Sequence, residues 1–189
     1  MSPNTVDSEG GHTALQLAAM GGHKDIVTML VDRGADLEAS TPPKGYEHLQ
    51  LGNALYYAAG GGFADIVDFL ASKGSNLNSV SPMGVSALML AAEQGHLSVV
   101  TNRIKRKADL SLRNHDKMTA LHYAAVKGHI EIAKALLDAG IDVNACARFD
   151  ATALDLALYK QKKNVALADL IRQRGGKTKN ELDSARPGS

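Results

Sequence analysis

Apolar positions along this chain fall into short blocks of two alternating kinds. One kind is compact and rich in alanine, as in Ala14-Leu15-Gln16-Leu17-Ala18-Ala19. The other spaces its apolar residues at helical intervals, as in Ile26, Val27, Leu30 and Val31, or Ile132, Ala133, Leu136 and Leu137. That spacing predicts a helix with one buried face. Alanine has the highest intrinsic helix propensity and a thin side chain, so the first kind of block predicts a short helix that its neighbours can approach closely. Thr13, Ser86, Thr119 and Thr152 stand just before alanine blocks, where a hydroxyl can accept from a free first-turn N–H. Gly34, Gly74 and Gly140 stand where the second helix must stop, a place that favours left-handed backbone. The pattern predicts an all-α chain of paired helices.

The pairs repeat. A Thr-Ala-Leu-like start and an alanine pair recur in Thr13–Ala19, Asn53–Ala59, Ser86–Ala92, Thr119–Ala125 and Thr152–Leu158. The leucine anchors are Leu15, Leu55, Leu88, Leu121 and Leu154, at intervals of 40, 33, 33 and 33 residues. Gly22-His23, Gly62-Phe63, Gly95-His96 and Gly128-His129 each follow at a constant offset from the anchor. Gly34-Ala35-Asp36-Leu37, Gly74-Ser75-Asn76-Leu77, Lys107-Ala108-Asp109-Leu110 and Gly140-Ile141-Asp142-Val143-Asn144 close the unit. A fixed period of this length is the mark of a stacked array in which each unit hides its apolar face against the next.

These words together resemble the ankyrin repeat, with Ala at 14, 54, 87, 120 and 153 where that family has Pro. The resemblance implies an ankyrin-repeat solenoid of five stacked helix-turn-helix units with β-hairpin or finger loops. The units are expected at about 8–40, 48–80, 81–113, 114–146 and 147–177, with an insertion at about 41–47 and a flexible tail at 178–189. It also implies that His23, His96 and His129 tie turns to backbone groups and that His122 bonds toward the adjacent finger.

Four places depart from the period. The insertion carries two prolines, Pro42 and Pro43, and both a binding role and a tolerated loop lengthening stay open. The third copy has Asn102-Arg103 where others have apolar pairs, and Lys107 in place of the stop glycine. Its basic cluster of Arg103, Lys105, Arg106, Lys107 and Arg113 reads as a solvated outer face, and this copy is expected to be the least protected in amide exchange. The last copy has two extra residues near Tyr159–Asn164 and serves as a cap. The first copy has no clear polar cap before it, which fits either a fragment of a longer chain or a short leading segment that suffices.

Composition narrows the function. Apolar residues make up 44% of 189 residues and charged residues 22%, enough for a packed core. The net charge of +1 argues against a surface built throughout for nucleic acid. Cys146 is the single cysteine, so no internal disulfide forms and a cytoplasmic setting is expected, with nuclear or secreted-effector settings as alternatives. No apolar run is long enough to span a bilayer. The histidines show no zinc-ligand spacing, and no nucleophile elbow or phosphate loop appears, so no metal, cofactor or catalysis is expected.

The resemblance instead implies a protein-binding adaptor, scaffold or inhibitor. It would act as a monomer and engage another protein rather than nucleic acid or membrane. A targeting or regulatory fragment of a larger multidomain protein and a pathogen effector acting on host proteins are the alternatives. Register places the expected partner-binding residues at Tyr46, His48 and Leu49; Met83, Val85, Glu93 and Gln94; His115, Asp116, Met118, Val126 and Lys127; and Arg148, Phe149, Tyr159 and Lys160. Met and aromatic side chains among them suit the centre of an interface.

Overall fold

The computed structural model describes residues 4–6, 11–40, 52–159 and 164–185. The alanine blocks form α1 (Ala14–Met20), α3 (Ala54–Gly60), α5 (Ala87–Gln94), α7 (Ala120–Lys127) and α9 (Ala153–Leu158). The amphipathic blocks form α2 (Lys24–Asp32), α4 (Ala64–Ser72), α6 (Leu97–Lys105), α8 (Ile130–Asp138) and α10 (Val165–Gln173). A further helix, α11 (Lys179–Ser184), follows. Each alanine helix packs on its own amphipathic partner and on the alanine helices before and after it, giving an inner and an outer layer.

The anchors Leu15, Leu55, Leu88, Leu121 and Leu154 are at most 2% exposed, and the alanines one turn on are buried with them. A leucine flanked by alanines fills the small gap between neighbouring inner helices, which is why that word recurs. Local chemistry starts these helices: Asn53 Oδ1 accepts from Tyr56 N–H at 2.9 Å, and Thr152 Oγ1 accepts from Asp155 N–H at 3.2 Å. Gln16, Met89, His122 and Asp155 all turn back to the backbone of the capping residue. That reciprocal box satisfies donors a six- to eight-residue helix would otherwise leave open.

The units are also laced at their closing turns. Glu38 Oε1 accepts from Asn76 N–H at 2.7 Å, Asn78 Oδ1 from Asp109 N–H at 3.0 Å, and Asn144 Oδ1 from Lys177 N–H at 2.8 Å. The equivalent rung between the third and fourth units does not form. Ser111 is too short to reach Asp142, and its hydroxyl donates back to Asp109 Oδ1 at 2.6 Å.

Two expectations change. Arg103 was expected on a solvated face, and its side chain is 0% exposed. It shares the register of Leu70 and Leu136, both buried, and α6 is held between α4 and α8, so helix geometry carries whatever stands at that position inward. Lys105, Lys107 and Arg113 do lie exposed, and Arg106 pairs with Asp68. The tail expected to lack structure contains α11. Thr178 and Glu181 cap it reciprocally, and Lys179 N–H donates to Asp155 Oδ2 at 2.9 Å, which docks it on α9. The insertion at 41–47 lies outside the described residues.

Candidate partner-binding face

Three loops leading into inner helices close the same way. Ser81 N–H donates to Val85 O at 2.9 Å, Asn114 N–H to Met118 O at 3.0 Å, and Ala147 N–H to Ala151 O at 2.8 Å. Each turn needs one left-handed residue, and Gly84, Lys117 and Asp150 supply it with φ of 74°, 59° and 59°. The loops then join one another, since His115 N–H donates to Met83 O at 3.0 Å and Arg148 N–H to Asp116 O at 2.8 Å. Asn114, nearly buried, organises its loop: Oδ1 accepts from Asp116 and Met118 N–H at 3.0 and 2.8 Å, and Nδ2 donates to Tyr123 Oη at 2.9 Å.

This edge carries apolar side chains outward. Met83 is 59% exposed and Phe149 87%. Phe149 itself has φ 58° and ψ 24°, a left-handed conformation that L-residues adopt at a cost, and it sits on a single 3-10 turn (Arg148–Asp150). Lys179 Nζ donates to Phe149 O at 3.2 Å and lies 3.6 Å from Asp150 Oδ2, so α11 braces the turn. Arg148 pairs with Asp116 at 3.1 Å, which leaves the aromatic ring flanked by compensated charge.

The inner helices add a second row. Residues two and five after the anchors line the inner surface: Leu17, Met20 and Tyr159 are exposed, Tyr57, Leu90, Glu93 and Val126 are half-buried, and Tyr123 and Leu156 pack in part against the core. Tyr159 is 71% exposed, and Glu93 pairs with Lys127 at 3.2 Å. Tyr57 Oη lies 3.3 Å from His12 Nε2, with the two rings edge to face at 5.4 Å. Burial raises the pKa of Tyr56, Tyr57 and Tyr123, so each keeps its phenolic proton at neutral pH and can donate.

Of the expected residues, Met83, Gln94, His115, Lys127, Arg148, Phe149 and Tyr159 are exposed, and Glu93, Asp116, Met118 and Val126 are half-buried along the same face. Val85 is different: it packs against the core, because the closed turn brings its backbone beneath the loop. Tyr46, His48, Leu49 and Lys160 lie outside the described residues. Sequence reasoning missed Asn114 and the row containing Tyr57 and Tyr123. The three-residue step back from Glu93, Val126 and Tyr159 to Leu90, Tyr123 and Leu156 was the signal for the second.

His122 is buried, and its Nδ1 accepts from Thr119 N–H at 3.1 Å, leaving the proton on Nε2. Burial pushes its pKa down, while the nearby Ala151 and Ala145 carbonyls oppose that shift without closing a hydrogen bond. Gln16, in the same register, does close it, with Nε2 donating to Ala39 O at 3.0 Å and Gly52 O at 2.8 Å.

Among the described residues no cluster of three or more His, Cys, Asp or Glu side chains is placed to hold a metal ion. No described helix is long and apolar enough to cross a membrane. Cys146 is half-buried, with Sγ 3.6 Å from Asn144 O. The face presents apolar and aromatic tips, phenol donors and paired charges.

A family model described as ankyrin repeats in three copies matches residues 43–105 and 88–180, and one for a single ankyrin repeat matches residues 10–42. No curated protein matches the chain.

Proposed function

Because the chain belongs to the ankyrin-repeat family, whose repeats are general protein–protein interaction modules, we propose that it is a non-enzymatic adaptor, scaffold or inhibitor. It grips another protein with its finger loops and the exposed row of its inner helices. The observation that carries this reading is Phe149, 87% exposed on a left-handed turn braced from both sides. A large apolar ring standing in solvent on a braced backbone contributes nothing to the core and is suited to fill a partner's pocket. Met83 and Tyr159 extend the apolar surface, and the Glu93–Lys127 and Asp116–Arg148 pairs supply a polar rim. A monomer in a reducing, cytoplasmic setting fits the one unpaired thiol.

Affinity capture from the native source, comparing the unaltered chain with Phe149→Asp combined with Tyr159→Asp, tests the reading. The expected result is loss of the captured protein with an unchanged melting temperature. Equal capture by both chains overturns it.

A further inference from the structure

The third unit combines features found in no other described unit. Arg103 is 0% exposed, and Nε and both terminal guanidinium nitrogens lack any hydrogen-bond partner. Leucine holds the same register in the second and fourth units, where Leu70 and Leu136 are also 0% exposed. Beside it, Asn102 Oδ1 is buried without a partner. Lys107 ends the helix at φ 59°, where Gly34, Gly74 and Gly140 take φ of 80°, 97° and 85° without a Cβ to strain. The Ser111–Asp142 rung is missing, and Arg113 crosses there instead, with Nη1 donating to Cys146 O at 3.2 Å and Nη2 3.9 Å from Asp142 Oδ2, beside a cleft of about 400 Å³ lined by Asp109, Ser111, Arg113, Thr119 and Asp142.

We infer that the third unit is a built-in break in the stack, where α6 leaves the outer layer as a local unit while the helices on either side stay folded. Burial, with Arg106 adding repulsion, lowers the Arg103 pKa only to about 10, so the guanidinium is charged at neutral pH. A buried charge with no partner is among the most unfavourable arrangements a core can hold, and opening α6 returns it to water. Opposing this are the burial of Val99 and Val100 and the bonds from Asn102 and Arg106 to Asp68, so the closed state remains the major one. In a stacked array each unit contacts only its neighbours, so the opening does not propagate.

Native-state amide exchange followed by mass spectrometry tests this on the intact chain. The α6 amides are expected to open at least about tenfold more often than those of α4 and α8, the ratio that one unsatisfied buried charged group implies. Arg103→Leu is expected to bring α6 to the protection of α8, and Lys107→Gly to give a smaller gain. Protection of α6 equal to that of α4 and α8 in the unaltered chain overturns the inference. So does an Arg103→Leu chain whose α6 exchange is unchanged.

Discussion

His129 Nε2 lies 3.1 Å from the carbonyl oxygen of Glu93, so the side chain that opens α8 holds the inner helix of the unit before it. A carbonyl can only accept, which fixes the proton on Nε2. His96 does the same to Gly60 O at 2.8 Å, and Asn164 to Gly128 O at 3.4 Å. His129→Ala should cost about 1 kcal/mol, the usual net worth of such a bond. His129→Asn should recover part of it, because asparagine already fills the role at 164. Urea unfolding of the two variants checks the order.

The buried imidazole of His122 makes stability depend on pH. Its folded pKa lies below the ordinary value of 6.5, so the unfolded chain binds a proton first as pH falls. Its contribution is therefore fully present above about pH 6.5 and is lost progressively as pH drops below that value. His122→Gln removes the titration, and Gln16 shows that a glutamine amide at this register reaches both loop carbonyls. Unfolding free energies measured from about pH 8 to about pH 5 should fall more steeply for the unaltered chain than for the variant.

Glu38 fastens the first unit to the second. Oε1 accepts from Ser75 Oγ at 2.8 Å and Asn76 N–H at 2.7 Å, and Oε2 accepts from Asn53 Nδ2 at 2.9 Å. Glu38→Ala should cost about 1 to 2 kcal/mol, reduced from a buried network by the carboxylate's exposure. Amide exchange in α1 and α2 should rise while that in α8 stays constant.

Much of this was legible from the thirty-three-residue period. The anchors and the caps follow from register alone, and so do the ties made by His96 and His129, whereas Phe63 stands at that place in the second unit and no such bond from His23 is found among the described residues. Arg103 was legible as an intruder at an apolar position but not as buried. Its charge argued for solvent, whereas flanking Val99 and Val100 commit that helix face to the core. The helix α11 was readable in Thr178 and Glu181, three residues apart, though its docking through Lys179 to Asp155 depends on tertiary placement. Asn114 gave no signal, since its work is to shape one loop.

Phe149→Gly separates binding from folding. The ring is solvent-exposed, so its removal costs little packing, and glycine relieves a left-handed residue. The strain relieved exceeds the added backbone entropy by about 0.5 kcal/mol, so thermal stability should hold or rise slightly. A loss beyond about 1 kcal/mol would show that the ring packs against the chain.

The most direct test of the binding face is site-specific photo-crosslinking in the native setting. A photoreactive phenylalanine derivative at position 149 should form a covalent adduct with a partner protein, while the same group at Val165, also exposed but on the outer layer, should form none. Adducts from position 165 with none from position 149 would contradict the account.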